Sequence, residues 1–317
     1  MHQFPRKFPR INRHLHRLAG VLVLIGLFHA TTGLSQSDDF NDGIDDGWDR
    51  YDPIGSAVPP GVGTWSFPNA NSYRIQTSPS PSPGMVGPGR AGSTRTDASY
   101  TDFYVSVDII NWDPALEQAI GLLARLREIG LGTTDGYAMT YQVADGDIDI
   151  TTFTNEVPAD SLDLVGSDVV NMQLGESYRY VFEGKGVDFT VKVYLLPDTV
   201  NPITAVSAQD ATWVSGFCGL LAFDNTGTGT GRTDVTFDNY FAADSEPPLL
   251  RYELNAFGDL SFNWTTNSPG YILQATFSMD AIDWVDISPP YTIFGEVFVF
   301  LEDRFAQPAR YYQLRRP

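Results

Sequence analysis

Histidine and cysteine are scarce in this 317-residue chain, and where they fall matters more than how few they are. All four histidines (His2, His14, His16 and His29) lie in the first 29 residues, and Cys218 is the single cysteine. Beyond residue 35 there is no histidine, and no disulfide can form within the chain. That excludes a Ser-His-Asp triad, a Cys-His dyad and histidine-ligated zinc or iron from this part. Catalysis there would rest on carboxylates, Lys, Tyr or Ser, and any metal would be held by oxygen. Cys218, in GFCGLL, has apolar neighbours and reads as a small buried hydrophobe.

Long apolar runs are also few. One stretch, Leu18 to Phe28 (LAGVLVLIGLF), follows the basic residues Arg6, Lys7, Arg10, Arg13 and Arg17. Its eleven residues fall short of the roughly 20 that span a bilayer. Small residues at Gly33 and Ser35 suit cleavage before Gln36, so residues 1–35 read as a secretory signal peptide. No cysteine follows the run to take a lipid. The expectation is export, to the periplasm, the cell surface or beyond, without membrane insertion once the signal is removed.

Positive charge is the third shortage. Without the five bases of the signal, 15 Lys and Arg face all 39 acids, a net charge of −24. Such a chain repels nucleic acid and anionic membranes, so neither is an expected partner. It tolerates divalent cations. Residues 38–244 hold 30 acids against 10 bases, and 25 of those acids are Asp, which favours turns over helices. A Pro-rich hinge at Ser245–Pro248 (SEPP) divides a larger unit, 36–244, from a smaller one, 249–317.

Strand patterns dominate what is present. In TDFYVSVDIINW, Phe103, Val105, Val107 and Ile109 share one face, while Tyr104, Ser106, Asp108, Ile110 and Trp112 share the other. YAMTYQV and DIDITTF flank an Asp145-Gly146 turn and predict a hairpin. YRYVFEGKGVDFTVKVYLL predicts a second, turning at Gly184-Lys185-Gly186, and GFCGLLAFDN with DVTFDNYF a third across the loop NTGTGTGRT. The segment DPALEQAIGLLARLRE is read as a helical turn over 114–118 and a strand over 119–127. SPSPSPGMVGPGRAG, between Thr77 and Gly92, is too rich in Pro and Gly for a core strand and reads as an exposed loop.

Several constellations are candidates for chemistry. DDFNDGIDDGW fails as a calcium loop: whether Gly43 or Gly47 takes the sixth position, the third ligand is a hydrocarbon, Phe40 or Ile44. Phe40 and Trp48 instead read as apolar anchors of a first strand and the turn after it. Phe-Asp-Asn at 237–239 echoes Asp39-Phe40-Asn41, so closure of a sandwich brings Asp39 and Asp238 together, a candidate structural calcium site. Solvated turn acids are the competing reading. Asp147 and Asp149, about 7 Å apart on one strand face, fall between the retaining and inverting spacings of glycosidases and read as solvent-facing acids. GTGTGR has no following helix and no GK[ST], so it is no phosphate loop. Trp112 beside Tyr104, Asp108 and Arg125 forms a candidate sugar platform, rings on C–H faces and charges on hydroxyls. A Trp closing the core is the alternative. Trp65, in GTWSF, reads as core.

The order of these motifs resembles the concanavalin A-like lectin/glucanase superfamily. It is nearest the laminin-G-like jelly-roll domains of secreted bacterial proteins, through DDF, GTWSF, GLLAR, DGYAMTYQ, YRYVFEGKGVDFTVKVY, SGFCGLLAFDN and VTFDNYFAAD over residues 38–244. The resemblance implies an all-β antiparallel jelly-roll sandwich, and a lectin, carbohydrate-binding module, adhesive module or glycoside hydrolase. The endoglucanase branch carries Glu-x-Asp-x-Glu, which none of Glu117, Glu128, Glu156, Glu176 or Glu183 begins. Calcium is frequent in that superfamily; no organic cofactor is implied. GYILQATFSMDAIDW and ARYYQLRRP resemble small fibronectin- or immunoglobulin-like β modules that close exported bacterial proteins. Arg304, Arg310, Arg315 and Arg316 there are a candidate surface for an acidic partner. The expectation is exported, non-catalytic binding of a polysaccharide or glycan. A carboxylate-based glycosidase and a structural envelope component are the alternatives.

Overall fold

The computed structural model describes residues 35–317 except 167–168, 255–258, 267–269, 279–283, 289, 303–309 and 316–317; for 160–161 and 163–166 it describes the backbone only. Residues 1–34 of the expected signal peptide, Arg304 and Arg316 lie outside the described residues. No described helix is long and apolar enough to cross a membrane.

Alternation of apolar and polar residues builds two large antiparallel sheets. One runs, in spatial order, β11 (Asp163–Gly166), β14 (Thr204–Gln209), β13 (Asp188–Leu195), β12 (Tyr178–Lys185), β6 (Phe103–Trp112), β16 (Thr233–Ala243), β4 (Tyr73–Thr77) and β3 (Gly63–Ser66). Its ninth strand, β1 (Ser35–Asp38), also pairs with β16. The other runs β10 (Val157–Ser161), β9 (Ile148–Thr154), β8 (Asp135–Gln142), β7 (Gln118–Arg127), β15 (Gly216–Asp224), β5 (Arg90–Tyr100) and β2 (Asp49–Tyr51). The chain crosses between the sheets eight times, at β1–β2, β2–β3, β4–β5, β5–β6, β6–β7, β10–β11, β14–β15 and β15–β16, which is the winding of a jelly-roll sandwich.

One core lies between the sheets. Val105, Val107 and Ile109 of β6 and Phe182 and Val191 of the adjoining hairpin meet Ile120, Leu122, Met139, Ile150 and Leu220 from the other sheet. Each such side chain stabilises by about 1.5–3 kcal/mol when taken from water. Cys218 is fully buried among them, and burial pushes its thiol up to about 12, so it stays protonated. Trp65 is half-buried against this core and donates from Nε1 to the Gly92 carbonyl at 3.1 Å.

Residues 251–315 form two smaller sheets. β17 (Arg251–Leu254), β18 (Leu260–Thr265), β22 (Val297–Glu302) and β21 (Thr292–Phe294) make one; β20 (Val285–Asp286), β19 (Ile272–Thr276) and β23 (Tyr311–Arg315) make the other. They share a separate apolar cluster around Phe262, Trp264 and Leu273. Arg310 is engaged locally, bridging to Glu302 at 3.2 Å and lying over the Phe277 ring.

Three expectations need correction. β15 and β16 form no hairpin: they belong to different sheets, and the Gly/Thr loop is an arch between layers. Its base is set by the Asp224 carboxylate, which accepts from the Thr226 and Gly231 amides. Residues 114–116 are turn and bend, held by the Asp113 carboxylate accepting from Ala115 N, while 118–127 is strand. The Pro/Gly segment is not simply exposed: Ser80 and Val86 are buried and Arg90–Gly92 begin a strand paired on both sides.

Candidate functional site

The four residues read as a sugar platform do not share a surface. Tyr104 and Asp108 do face outward from β6, but both are buried. Tyr104 packs with Val181 and Tyr194. Asp108 accepts two bonds from Arg179, at 2.7 and 2.9 Å, and one from Asn239 Nδ2 at 3.0 Å, which fills its carboxylate. Trp112 belongs to the core, edge-on to Tyr178. The reason is a bulge: Ile109 pairs with Phe237 and Asn111 with Thr236, so Ile110 is extra and alternation inverts beyond it. Arg125 sits at a second bulge, with φ +49°, in β7. It turns inward, donating to the carbonyls of Thr101, Trp213 and Gly186 and lying over Phe103 and Phe189.

The opening of the chain does close on its end. Ser37 pairs with Phe241 and Asp38 with Tyr240. Phe40 is fully buried and stacked on Tyr73 at 4.9 Å, with the Asp38 carboxylate accepting from Phe40 N and Trp48 Nε1, both at 2.8 Å. Asp238 lies near Asp39; its carboxyl is pushed above the ordinary range chiefly by burial, with repulsion from Asp108 and Asp39 adding to it. The donor set for calcium is thin. Asp38 and Asp108 are committed to N–H donors, and Asp39 Oδ1 accepts from Asn41 N. A calcium ion takes about six to eight oxygens, and no group of three metal-ligating side chains exists among the described residues. The residues present do not fit a resident calcium.

A cleft of about 300 Å³ lies instead on the outer face of the seven-stranded sheet. Pairing sets its rows. Tyr51, Gly92, Leu221, Gly121, Thr140 and Asp149 stand side by side across six strands. Flanking rows run Arg90, Phe223, Ala119, Gln142 and Thr94, Gly219, Leu123, Ala138, Thr151. Glycine is required at the centre: a Cβ on Gly121 would stand 1.9 Å from the Met139 carbonyl oxygen, and one on Gly92 2.2 Å from that of Leu220. The floor is thus left low, with Leu123, Leu221, Phe153 and Phe223 around it.

The cleft's two ends differ. At one, Glu156 accepts from Arg90 Nε at 2.9 Å and Nη2 at 2.6 Å, from Gly132 N at 2.5 Å and from the Tyr51 hydroxyl. Burial, then the charge of Glu156, holds the Tyr51 phenol well above its ordinary range. At the other end Asn225 Nδ2 donates to Gln142 Oε1, and Gln142 Nε2 donates to Asp149 Oδ2 at 2.8 Å. Asp149 Oδ1 has no hydrogen-bond partner among the described residues. Asp149, read from sequence as a solvent acid, is half-buried at this cleft. The glycines of GLLAR, GFCGLL and RAG were the available signal, since glycine inside a strand marks close backbone approach.

No protein-family description matches the chain, and no curated protein matches it. Solved structures do resemble it. The carbohydrate-binding module CBM66 from Bacillus subtilis is 19% identical, over 61% of this chain and 93% of that one, with a TM-score of 0.42. A prokaryotic β-1,3-1,4-glucanase (lichenase) from a mouse hindgut metagenome is 13% identical over 66% and 98%, TM-score 0.47. Basic winged bean lectin with Tn-antigen is 8% identical over 67% and 98%, TM-score 0.45. At these scores the likeness bears on neither ligand nor activity.

Proposed function

We propose that this is an exported protein that binds a neutral glycan, without cleaving it, on the outer face of its seven-stranded sheet. The observation that carries the reading is the row Asn225–Gln142–Asp149 beside the Phe223 and Phe153 rings. A sugar offers the same two surfaces: C–H faces that lie on rings and aliphatic floor, and hydroxyls that donate to a carboxylate. Asp149 Oδ1 supplies the acceptor and the amide chain fixes its direction. The charge of −24 on residues 36–317 disfavours anionic polymers.

Cleavage would need two working carboxylates. Glu156 is the second one in the cleft, and Arg90, Tyr51 and Gly132 take up both of its oxygens. With both oxygens occupied, Glu156 has none left to face a glycosidic oxygen or an attacking water, which supports binding over hydrolysis. In this reading residues 249–317, with their own apolar cluster, act as a spacer or attachment module. Affinity electrophoresis of residues 36–317 in gels cast with neutral polysaccharides tests it. Retardation in at least one gel that Asp149→Ala abolishes is expected. Free migration in all of them overturns the reading in favour of a structural role, and release of reducing sugar overturns its non-catalytic part.

A further inference from the structure

The polar groups of the cleft that still lack partners gather in one corner. Thr140 of β8 lies directly opposite Asp149 of β9 on the same face, and both line the cleft. Thr140 is only 7% exposed, yet its hydroxyl has no hydrogen-bond partner among the described residues. A nearly buried hydroxyl in that position points to a partner supplied from outside the chain. Asp149 Oδ1 is unpartnered beside it, with Cβ atoms of such opposed residues about 4.5–5.5 Å apart. The carboxylate only accepts, while the hydroxyl can donate. The pair therefore suits two neighbouring hydroxyls of one ring, one donating to Asp149 and the other accepting from Thr140.

The rest of the row offers hydrocarbon. Next to Thr140 stands Gly121, whose bare backbone leaves room for a ring, and then Leu221, about 10 Å from Thr140 at two strand spacings. Leu221 belongs to one apolar cluster with Leu123, Leu126 and Ala138, against which Phe153 and Phe223 pack. Beyond Leu221 the polar side chains already have partners. Arg90 donates to Glu156 and to the Val86 and Pro88 carbonyls, Tyr51 donates to Glu156, and Thr134 donates to the Gly130 carbonyl at 2.9 Å. A ring laid over Gly121 is thus gripped on one edge and meets leucine on the other. In a hexopyranose the edge opposite the C2 and C3 hydroxyls is the C5–O5 bond, whose one exocyclic group is carried by C5. A hydroxymethyl there would bring its hydroxyl out of water without a partner, whereas a methyl would add apolar contact.

We infer that the cleft selects a 6-deoxyhexose, with Asp149 and Thr140 on its C2 and C3 hydroxyls and Leu221 and Leu123 against its C5 methyl. The inference rests on the glycan reading and names the sugar that the glycan carries. Thr140 becomes a ligand-binding residue beside Asp149, and Leu221 the residue that sets the choice at C6. The selectivity has a physical source: a site without a partner for a hydroxyl rejects the sugar that brings one there.

The test is a titration of residues 36–317, followed by ligand NMR up to the solubility of each sugar, with methyl glycosides that differ only at C6. The pairs are L-fucose with L-galactose, D-fucose with D-galactose, L-rhamnose with L-mannose, and 6-deoxy-D-glucose with D-glucose. In at least one pair the deoxy sugar is expected to bind about tenfold tighter, the effect of one hydroxyl left without a partner. Thr140→Val keeps the volume and removes the hydroxyl; it should weaken both members of that pair by about tenfold and leave their ratio unchanged. Leu221→Asn offers the C6 hydroxyl a partner at nearly the same size and should bring the two members close to parity. Equal or tighter binding of the hydroxylated sugar in every pair overturns the inference, as does full affinity in Thr140→Val. Absence of binding by all of these sugars overturns it too. In each case a polysaccharide still retarded in the gel leaves the glycan reading standing, and free migration in every gel overturns both.

Discussion

On the outer face of the nine-stranded sheet Asp108 meets Arg179, Glu183 meets Lys192 at 3.1 Å, and Tyr104, Val181 and Tyr194 close together. On the outer face of the seven-stranded sheet Asp149 meets only an amide, and Gly92, Gly121 and Gly219 leave the floor bare. The two faces draw on similar residue types. What separates them is partner supply: a guanidinium opposite a carboxylate consumes its acceptors, whereas a side-chain amide leaves one oxygen free. Glycine in the strands then decides whether a ligand has room to reach it.

The seven-stranded face is most sensitive at its glycines. Gly121→Val places a side chain where the Met139 carbonyl already stands, and unfolding in urea should show a loss of more than about 3 kcal/mol. Unchanged stability would mean the strands part easily and the hollow is not built in. Next is the closed end of the cleft. Arg90→Met leaves the Glu156 carboxylate buried without its cation and should cost about 3 kcal/mol, read in the same experiment. A loss well below 1 kcal/mol would show that the pair is solvated.

A smaller effect lies on the other face, where the nine-stranded sheet is closed by burial. The Asp238 carboxyl is raised by burial, against the pull of the Asn239 amide and with repulsion from Asp108 and Asp39. A raised acid favours its protonated form in the folded state, so its contribution is full below the ordinary carboxylate range and lost as pH rises through the folded value. Asp238→Asn should therefore raise the melting temperature at pH 7 and lose that gain near pH 3. A gain that persists at pH 3 would point to packing, not charge. Smallest of all, chelator should leave melting unchanged; a clear drop would mean that Asp39 and Asp238 recruit oxygens for a divalent cation after all.

Much of the sandwich was legible because its strands alternate cleanly. Phe103, Val105, Val107 and Ile109 point inward as their spacing says, both short-turn hairpins are present, and the first strand lies on the last. The site was not legible, for two local reasons. Extra residues at Ile110 and Arg125 invert the alternation on which the Trp112 platform depended, and a bulge is decided by the partner strand's register. Asn239, with φ +51°, is the matching irregularity on β16 and sends Tyr240 into the core. The third hairpin failed because β15 and β16 are sequence neighbours whose apolar faces meet across the core rather than along one sheet. Gly92, Gly121 and Gly219 were in view throughout, but only pairing shows that they lie in adjacent rows.

The most direct measurement is a calorimetric titration of one retained polysaccharide into wild type, Asp149→Ala and Arg179→Met. At least a tenfold loss of affinity is expected for Asp149→Ala, the weight of one charge-assisted hydrogen bond, and wild-type affinity for a folded Arg179→Met. Loss of binding in Arg179→Met with Asp149→Ala unaffected would place the ligand on the nine-stranded sheet and contradict it.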